Sequence, residues 1–195
     1  MRGTTASLLA LGAAMLTAGK AEAHVDEFYA GVFEHNGCVT NCKNAFKEAE
    51  PNIELEVDFS HFNFGVLGRP RPYAMASINT QGDTSYAGGG LTWSFHTSPT
   101  WSIDPGVGII VHNGELNNKY PNGTPQAAAF FEKHVLLGSR ELFRLSLAAT
   151  HQVSEHVDVQ GYYEHLSHGQ ILGHGRNQGL DEFGLRVGYH FGPRD

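Results

Sequence analysis

The chain has 195 residues, a formal charge of −7 and 41% hydrophobic residues, which suits one domain with a sizeable core. An acidic chain of this kind lacks the basic surface of a nucleic-acid binder, and beyond its N-terminus no run is long and apolar enough for a transmembrane helix. The mean hydropathy of −0.28 does not exclude a membrane β-barrel, whose apolar residues are diluted by alternation with polar ones.

The chain opens with Arg2, an apolar run from Ala6 to Ala18, and then Ala21-Glu22-Ala23. A basic start, a short apolar stretch and a small-x-small end form a secretory signal, too short to span a bilayer. The expected division is therefore a signal peptide over 1–23 and an exported domain over 24–195.

Period-two alternation marks eight candidate strands at roughly 26–35, 52–60, 72–79, 84–95, 101–112, 136–151, 156–167 and 181–191. After the first comes Cys38-x3-Cys42, which in an exported chain is most simply a small loop disulfide whose loss should be nearly silent for activity. The second strand is the clearest, with Ile53, Leu55, Val57 and Phe59 on one face and Glu54, Glu56 and Asp58 on the other. The fifth, sixth and eighth repeat the pattern; Phe143, Leu145 and Leu147 oppose Arg144 and Ser146, and Phe183, Leu185 and Val187 oppose Glu182 and Arg186.

A soluble sandwich shows the same alternation, so two further features decide. The polar faces mix carboxylates, arginines and small residues, as a lumen requires. Connections also alternate in length, short near 96–100 and 152–155 and long at 36–51, 113–135 and 168–180; only 61–71 and 80–83 break the rule. The expected fold is an all-β, eight-stranded antiparallel outer-membrane β-barrel. His61 and His96 read as turn residues, and His35 joins no cluster.

In the seventh strand, the parity of Val157, Val159 and Tyr163 continues to His165 and Ser167. The lipid-facing side thus ends in an imidazole and a hydroxyl whose Cα atoms lie about 6.5–7 Å apart. Asp181 shares parity with the apolar residues of the eighth strand, while Glu182, the rival acid, points into the lumen. Serine, imidazole and carboxylate make a nucleophile–base–orienter set. Against this stands the plain alternative that polar residues merely mark where the strand leaves the membrane, where they cost little.

Glu164-His165-Leu166-Ser167-His168-Gly169, then Asn177-Gln178-Gly179-Leu180-Asp181, then Gly188-Tyr189-His190-Phe191 resemble the lipid A 3-O-deacylase (PagL-type) family. The similarity is strongest over 156–191, with weaker echoes at Glu54-Leu55-Glu56, Val111-His112-Asn113-Gly114 and Leu137-Gly138-Ser139. The resemblance implies an outer-membrane barrel that hydrolyses the ester-linked acyl chain at the 3 position of lipid A without a cofactor. It makes His165 the base, Ser167 the nucleophile and Asp181 the orienting acid. The family commonly places asparagine after the serine for oxyanion stabilisation, but His168 stands there in this chain. The His168 N–H or the Gly169 backbone N–H is the expected replacement. Arg176 is a candidate contact to a phosphate of lipopolysaccharide.

Two other functions compete: a non-catalytic barrel with a structural or adhesion role, and metal binding by His165, His168 and His174, which lacks a fourth ligand. The sequence leaves the oligomeric state open, a homodimer included.

Overall fold

In a bilayer every strand must find all its hydrogen bonds within the sheet, so alternating segments of this kind have to close on themselves. The structure, a computed structural model, describes residues 24–40, 42, 45 and 47–192. The expected signal peptide lies outside them. Nine antiparallel segments form the wall: β1 (Val25–Glu34), β2 (Asn52–Phe59), β3 (Arg71–Asn79), β4 (Tyr86–Thr92), β5 (Phe95–Ser98), β6 (Trp101–His112), β7 (Glu141–Gln152), β8 (Val157–Ser167) and β9 (Leu180–His190). Neighbours run in the order β4-β3-β2-β1-β9-β8-β7-β6-β5, and β4 also pairs with β6. β4 and β5 are two parts of one stave, so the closed barrel has eight.

The break in that stave departs from the continuous strand expected over 84–95. Its cause lies across the ladder in β6. Trp93 N–H bonds to the Pro105 carbonyl at 3.0 Å, but Pro105 has no N–H to return, and pairing lapses between Thr92 and Phe95.

The alternation becomes inside and outside. Glu54, Glu56 and Asp58 are 1–2% exposed in the lumen, whereas Ile53 and Leu55 on the outer wall are 49% and 43% exposed. The lumen carboxylates are held by two arginines. Arg144 reaches Glu164 at 2.5 Å, Glu56 at 2.9 Å and Glu54 at 3.2 Å; Arg186 reaches Glu56 at 2.8 Å and Glu54 at 3.3 Å. The Arg186 guanidinium also lies 3.8 Å from the centre of the Tyr162 ring.

The long connections 35–51, 80–85, 113–140 and 168–179 gather at one end of the barrel. The third departs from the sequence reading twice. It contains helix α1 (Pro125–Lys133), capped by Thr124, whose hydroxyl accepts the Ala127 N–H at 3.1 Å, with proline at the first turn. Residues 136–140, expected to open a strand, instead turn inward. Val135, Leu136 and Leu137 are fully buried, and Val135 and Leu137 pack with Ile110, Leu142, Leu166 and Leu180, closing the lumen above the ion pairs. An unbroken apolar run suits this plug better than a wall with one polar face. At the opposite end, the connection 60–70 carries a 3-10 turn at Gly65–Leu67.

Replacing Arg144 with methionine leaves three buried carboxylates short of a counter-charge. Breaking a buried ion pair costs about 3–5 kcal/mol. The Arg144→Met barrel should unfold at clearly lower urea concentration than the parent in matched vesicles, and an unchanged midpoint would contradict this account of the lumen.

Candidate active site

Strand parity and register bring the site together. On β8, Tyr163, His165 and Ser167 alternate with the inward Tyr162, Glu164 and Leu166, and His165 pairs directly across the ladder with Asp181 of β9. His165 Nδ1 lies 2.7 Å from Asp181 Oδ1. With a proton on Nδ1 donated to the carboxylate, the lone pair sits on Nε2.

A carboxylate on the outward parity would face lipid, yet Asp181 is only 1% exposed. The first long loop folds over it. Gly37 N–H bonds to the Asp181 carbonyl at 2.8 Å, and Thr40 closes on its side chain. The Thr40 backbone N–H donates to Oδ2 at 2.5 Å, and its hydroxyl lies 2.8 and 2.9 Å from the two oxygens. Tyr163 adds a further donor, its hydroxyl 3.0 Å from Oδ1. Asp181 is thereby fixed from both sides, and the His165 ring with it.

Thr40 lies between Cys38 and Cys42, which are joined as a disulfide. The small ring presents Thr40 to the acid, a contact that the sequence reading of a nearly silent loop did not foresee. Thr40 was not legible as a site residue, because its contact spans 141 positions in sequence.

The other edge of the imidazole meets Gly179, which has φ +67°. A side-chain carbon there would stand 3.2 Å from His165 Cε1 and 3.2 Å from the Leu166 carbonyl, so glycine meets both a conformational and a steric requirement. Ser167 also faces outward, half-buried and opposite Phe143 on β7. Among the described residues, Ser167 Oγ has no hydrogen-bond partner and no hydrogen bond to His165. Such bonds are often loose before substrate arrives.

His168 is placed differently from an oxyanion donor. Its Nδ1 accepts the Gln170 N–H at 3.1 Å, so Nε2–H donates to the Arg176 carbonyl at 3.0 Å, and the ring is fully buried within the loop. Both nitrogens are used, which also removes His168 from a metal site with His165 and His174. Gly169 follows at φ +58°, its N–H without a partner among the described residues. Asn177 accepts the His168 N–H at 3.4 Å, which sets its side-chain amide at the end of β8. Only its place in the Asn-x-Gly-x-acid run marked it in the sequence.

Arg176 is exposed, with its guanidinium 5.0 Å from the Phe131 ring centre; Lys47 Nζ lies 3.6 Å from the same centre. Burial, and then the nearby Arg176, hold Lys47 below the ordinary lysine range. Glu182 points into the lumen, 2.6 Å from His35 Nδ1. His35, read from sequence as belonging to no cluster, is in fact buried between Glu182 and Glu48.

A closed barrel with an apolar outer wall, carrying a histidine–carboxylate pair and a serine on that wall, defines a transmembrane β-barrel with a polar site facing the lipid. A profile of the lipid A 3-O-deacylase (PagL) family matches residues 56–190, and the chain belongs to that family. The crystal structure of the outer membrane enzyme PagL superposes with a TM-score of 0.53 at 13% identity, over 83% of this chain and 97% of that one, and shares its fold. Weaker likenesses, both at TM-score 0.44, join it to a de novo designed transmembrane β-barrel (12% identity, 85% of this chain and 93% of that one) and to the Yersinia pestis outer membrane protein Ail (9% identity, 85% and 99%). No curated protein matches the chain by sequence.

Thr40→Val keeps the shape and the backbone N–H but removes the hydroxyl from Asp181. A hydrogen bond to a charged group is worth about 1.5–3 kcal/mol, or roughly 10- to 100-fold in rate. Ester hydrolysis by the refolded Thr40→Val barrel should fall by that order. The Cys38→Ser, Cys42→Ser double variant should fall with it, and parental rates in both would show that the clamp has no catalytic part.

Proposed function

We propose that this protein is an outer-membrane serine esterase that removes the ester-linked 3-hydroxyacyl chain at the 3 position of lipid A, reached after export on the segment ending at Ala23. The observation that carries the reading is the 2.7 Å contact between His165 and the buried Asp181, on the lipid-facing wall and two residues from Ser167. Polar groups on such a wall are costly unless they work. Family membership supports the same substrate.

In this mechanism the glycolipid approaches from within the leaflet and lays its acyl chain along the outer wall. Leu145 flanks His165 from β7, and Phe183 flanks Tyr163 from β9. Arg176, exposed on the connection between β8 and β9, offers positive charge to a phosphate of the headgroup. His165 Nε2 takes the proton of Ser167 as Oγ attacks the ester carbonyl. The tetrahedral oxyanion is met by the Gly169 N–H and the Asn177 side-chain amide. Collapse breaks the bond to the sugar oxygen, which leaves with the proton from His165. A water molecule, deprotonated by the same imidazole, then releases the 3-hydroxy fatty acid and restores Ser167. Asp181 keeps the ring oriented and stabilises its charged form.

The test uses the full barrel refolded in detergent with purified lipid A, read by mass spectrometry. The parent should remove one 3-hydroxyacyl group per lipid. Ser167→Ala and His165→Ala should lose activity by several orders of magnitude while remaining folded. Asp181→Asn should retain slow turnover. Unaltered lipid A with the parent, or full activity in Ser167→Ala, would overturn the proposal and leave a non-catalytic barrel.

A further inference from the structure

Three of the long connections meet above the lumen. Glu48 comes from the first, Asp83 from the second and His134 from the third, after α1. One ligand atom from each lies within 4.8 Å of the other two. His134 Nδ1 and Glu48 Oε1 are 3.6 Å apart, too far for a hydrogen bond. That separation suits two donors sharing one ion, since tetrahedral ligands at zinc distances lie about 3.4 Å from each other.

A second feature lies behind Glu48. The side chain of His35 is fully buried, and its Nε2 has no hydrogen-bond partner although it lies 3.6 Å from Glu48 Oε2. Its Nδ1 is engaged by Glu182 at 2.6 Å. This leaves a buried, unsatisfied polar nitrogen directly beside the Glu48 carboxylate of the cluster.

We propose that Glu48, Asp83 and His134, with water completing the coordination, form a binding site for a divalent transition-metal ion of the zinc class. Imidazole beside carboxylates favours such an ion over calcium or magnesium, which prefer oxygen donors throughout. The site ties together connections that also frame the polar wall. Glu48 accepts the Val135 N–H at 3.0 Å, and the adjoining Leu136 N–H bonds to Gln178, beside Asn177 and Gly179, at 2.6 Å. The ion is structural, and the site stands whether or not the esterase reading holds.

Titration of the full refolded barrel with Co2+, followed by its visible absorption bands and by Zn2+ displacement, tests the site directly. One ion should bind per chain, and Zn2+ should raise the unfolding temperature where Mg2+ and Ca2+ do not. Asp83→Asn is the cleanest variant, because Glu48 also holds Thr84 and its replacement risks misfolding. Asp83→Asn and His134→Ala should each weaken Co2+ binding at least tenfold, while His165→Ala should leave it unchanged. Absence of saturable binding in the parent, parental affinity in both loop variants, or loss of binding in His165→Ala would each overturn the proposal.

Discussion

The constraint on which the rest depends is closure in lipid. A wall strand must make every backbone hydrogen bond with its neighbours, and its side chains are thereby divided into an inner and an outer set. Pairing of β4 with β6 completes the circuit. Once it is closed, position in the sequence determines solvent: Glu54 and Glu56 have to be neutralised inside, and any polar residue of the opposite parity has to be protected or used. His165, Ser167 and Asp181 are outer-parity residues, and the two answers appear side by side. Asp181 is protected by the Thr40 loop; His165 and Ser167 remain accessible on the wall.

This arrangement divides labour between wall and loops. The β8–β9 ladder sets the distance between histidine and acid, because His165 and Asp181 are direct cross-strand partners. Strands give more rigid positioning than loops do. The loops supply what a strand cannot: donors that converge on a carboxylate from beyond the sheet, and a glycine in a left-handed conformation against the imidazole. The buried plug of Val135–Leu137 joins the two parts, packing on Leu166 and Leu180 within the barrel while Leu136 pairs with Gln178 in the connection between β8 and β9.

The barrel was legible because its rule is local. Period-two alternation survives in Ile53-Glu54-Leu55-Glu56 without knowledge of any neighbour, and it placed Asp181 outward and Glu182 inward. The break at Trp93 was harder, since its cause is Pro105 on another strand. Helix α1 did carry a local signal, Thr124-Pro125 before Ala127-Ala128-Ala129, although a long outer connection hid it. Thr40, His35 and the inward plug left no periodic trace. Their contacts cross tens to more than a hundred positions and depend on how loops fold over a finished barrel, which no local pattern encodes. His168 illustrates the same limit: its chemistry suited an oxyanion donor, but the turn at Gln170 and Arg176 consumes both ring nitrogens.

The central claim is that Ser167 is a nucleophile activated by His165 on the outer wall. The most direct measurement is covalent capture: a long-chain alkyl fluorophosphonate reacts with the folded barrel in micelles, and the adduct is mapped by peptide mass spectrometry. The account predicts a single adduct on Ser167, formed at a rate that collapses in His165→Ala. An adduct at another residue, or equal labelling of Ser167 with and without His165, would contradict it.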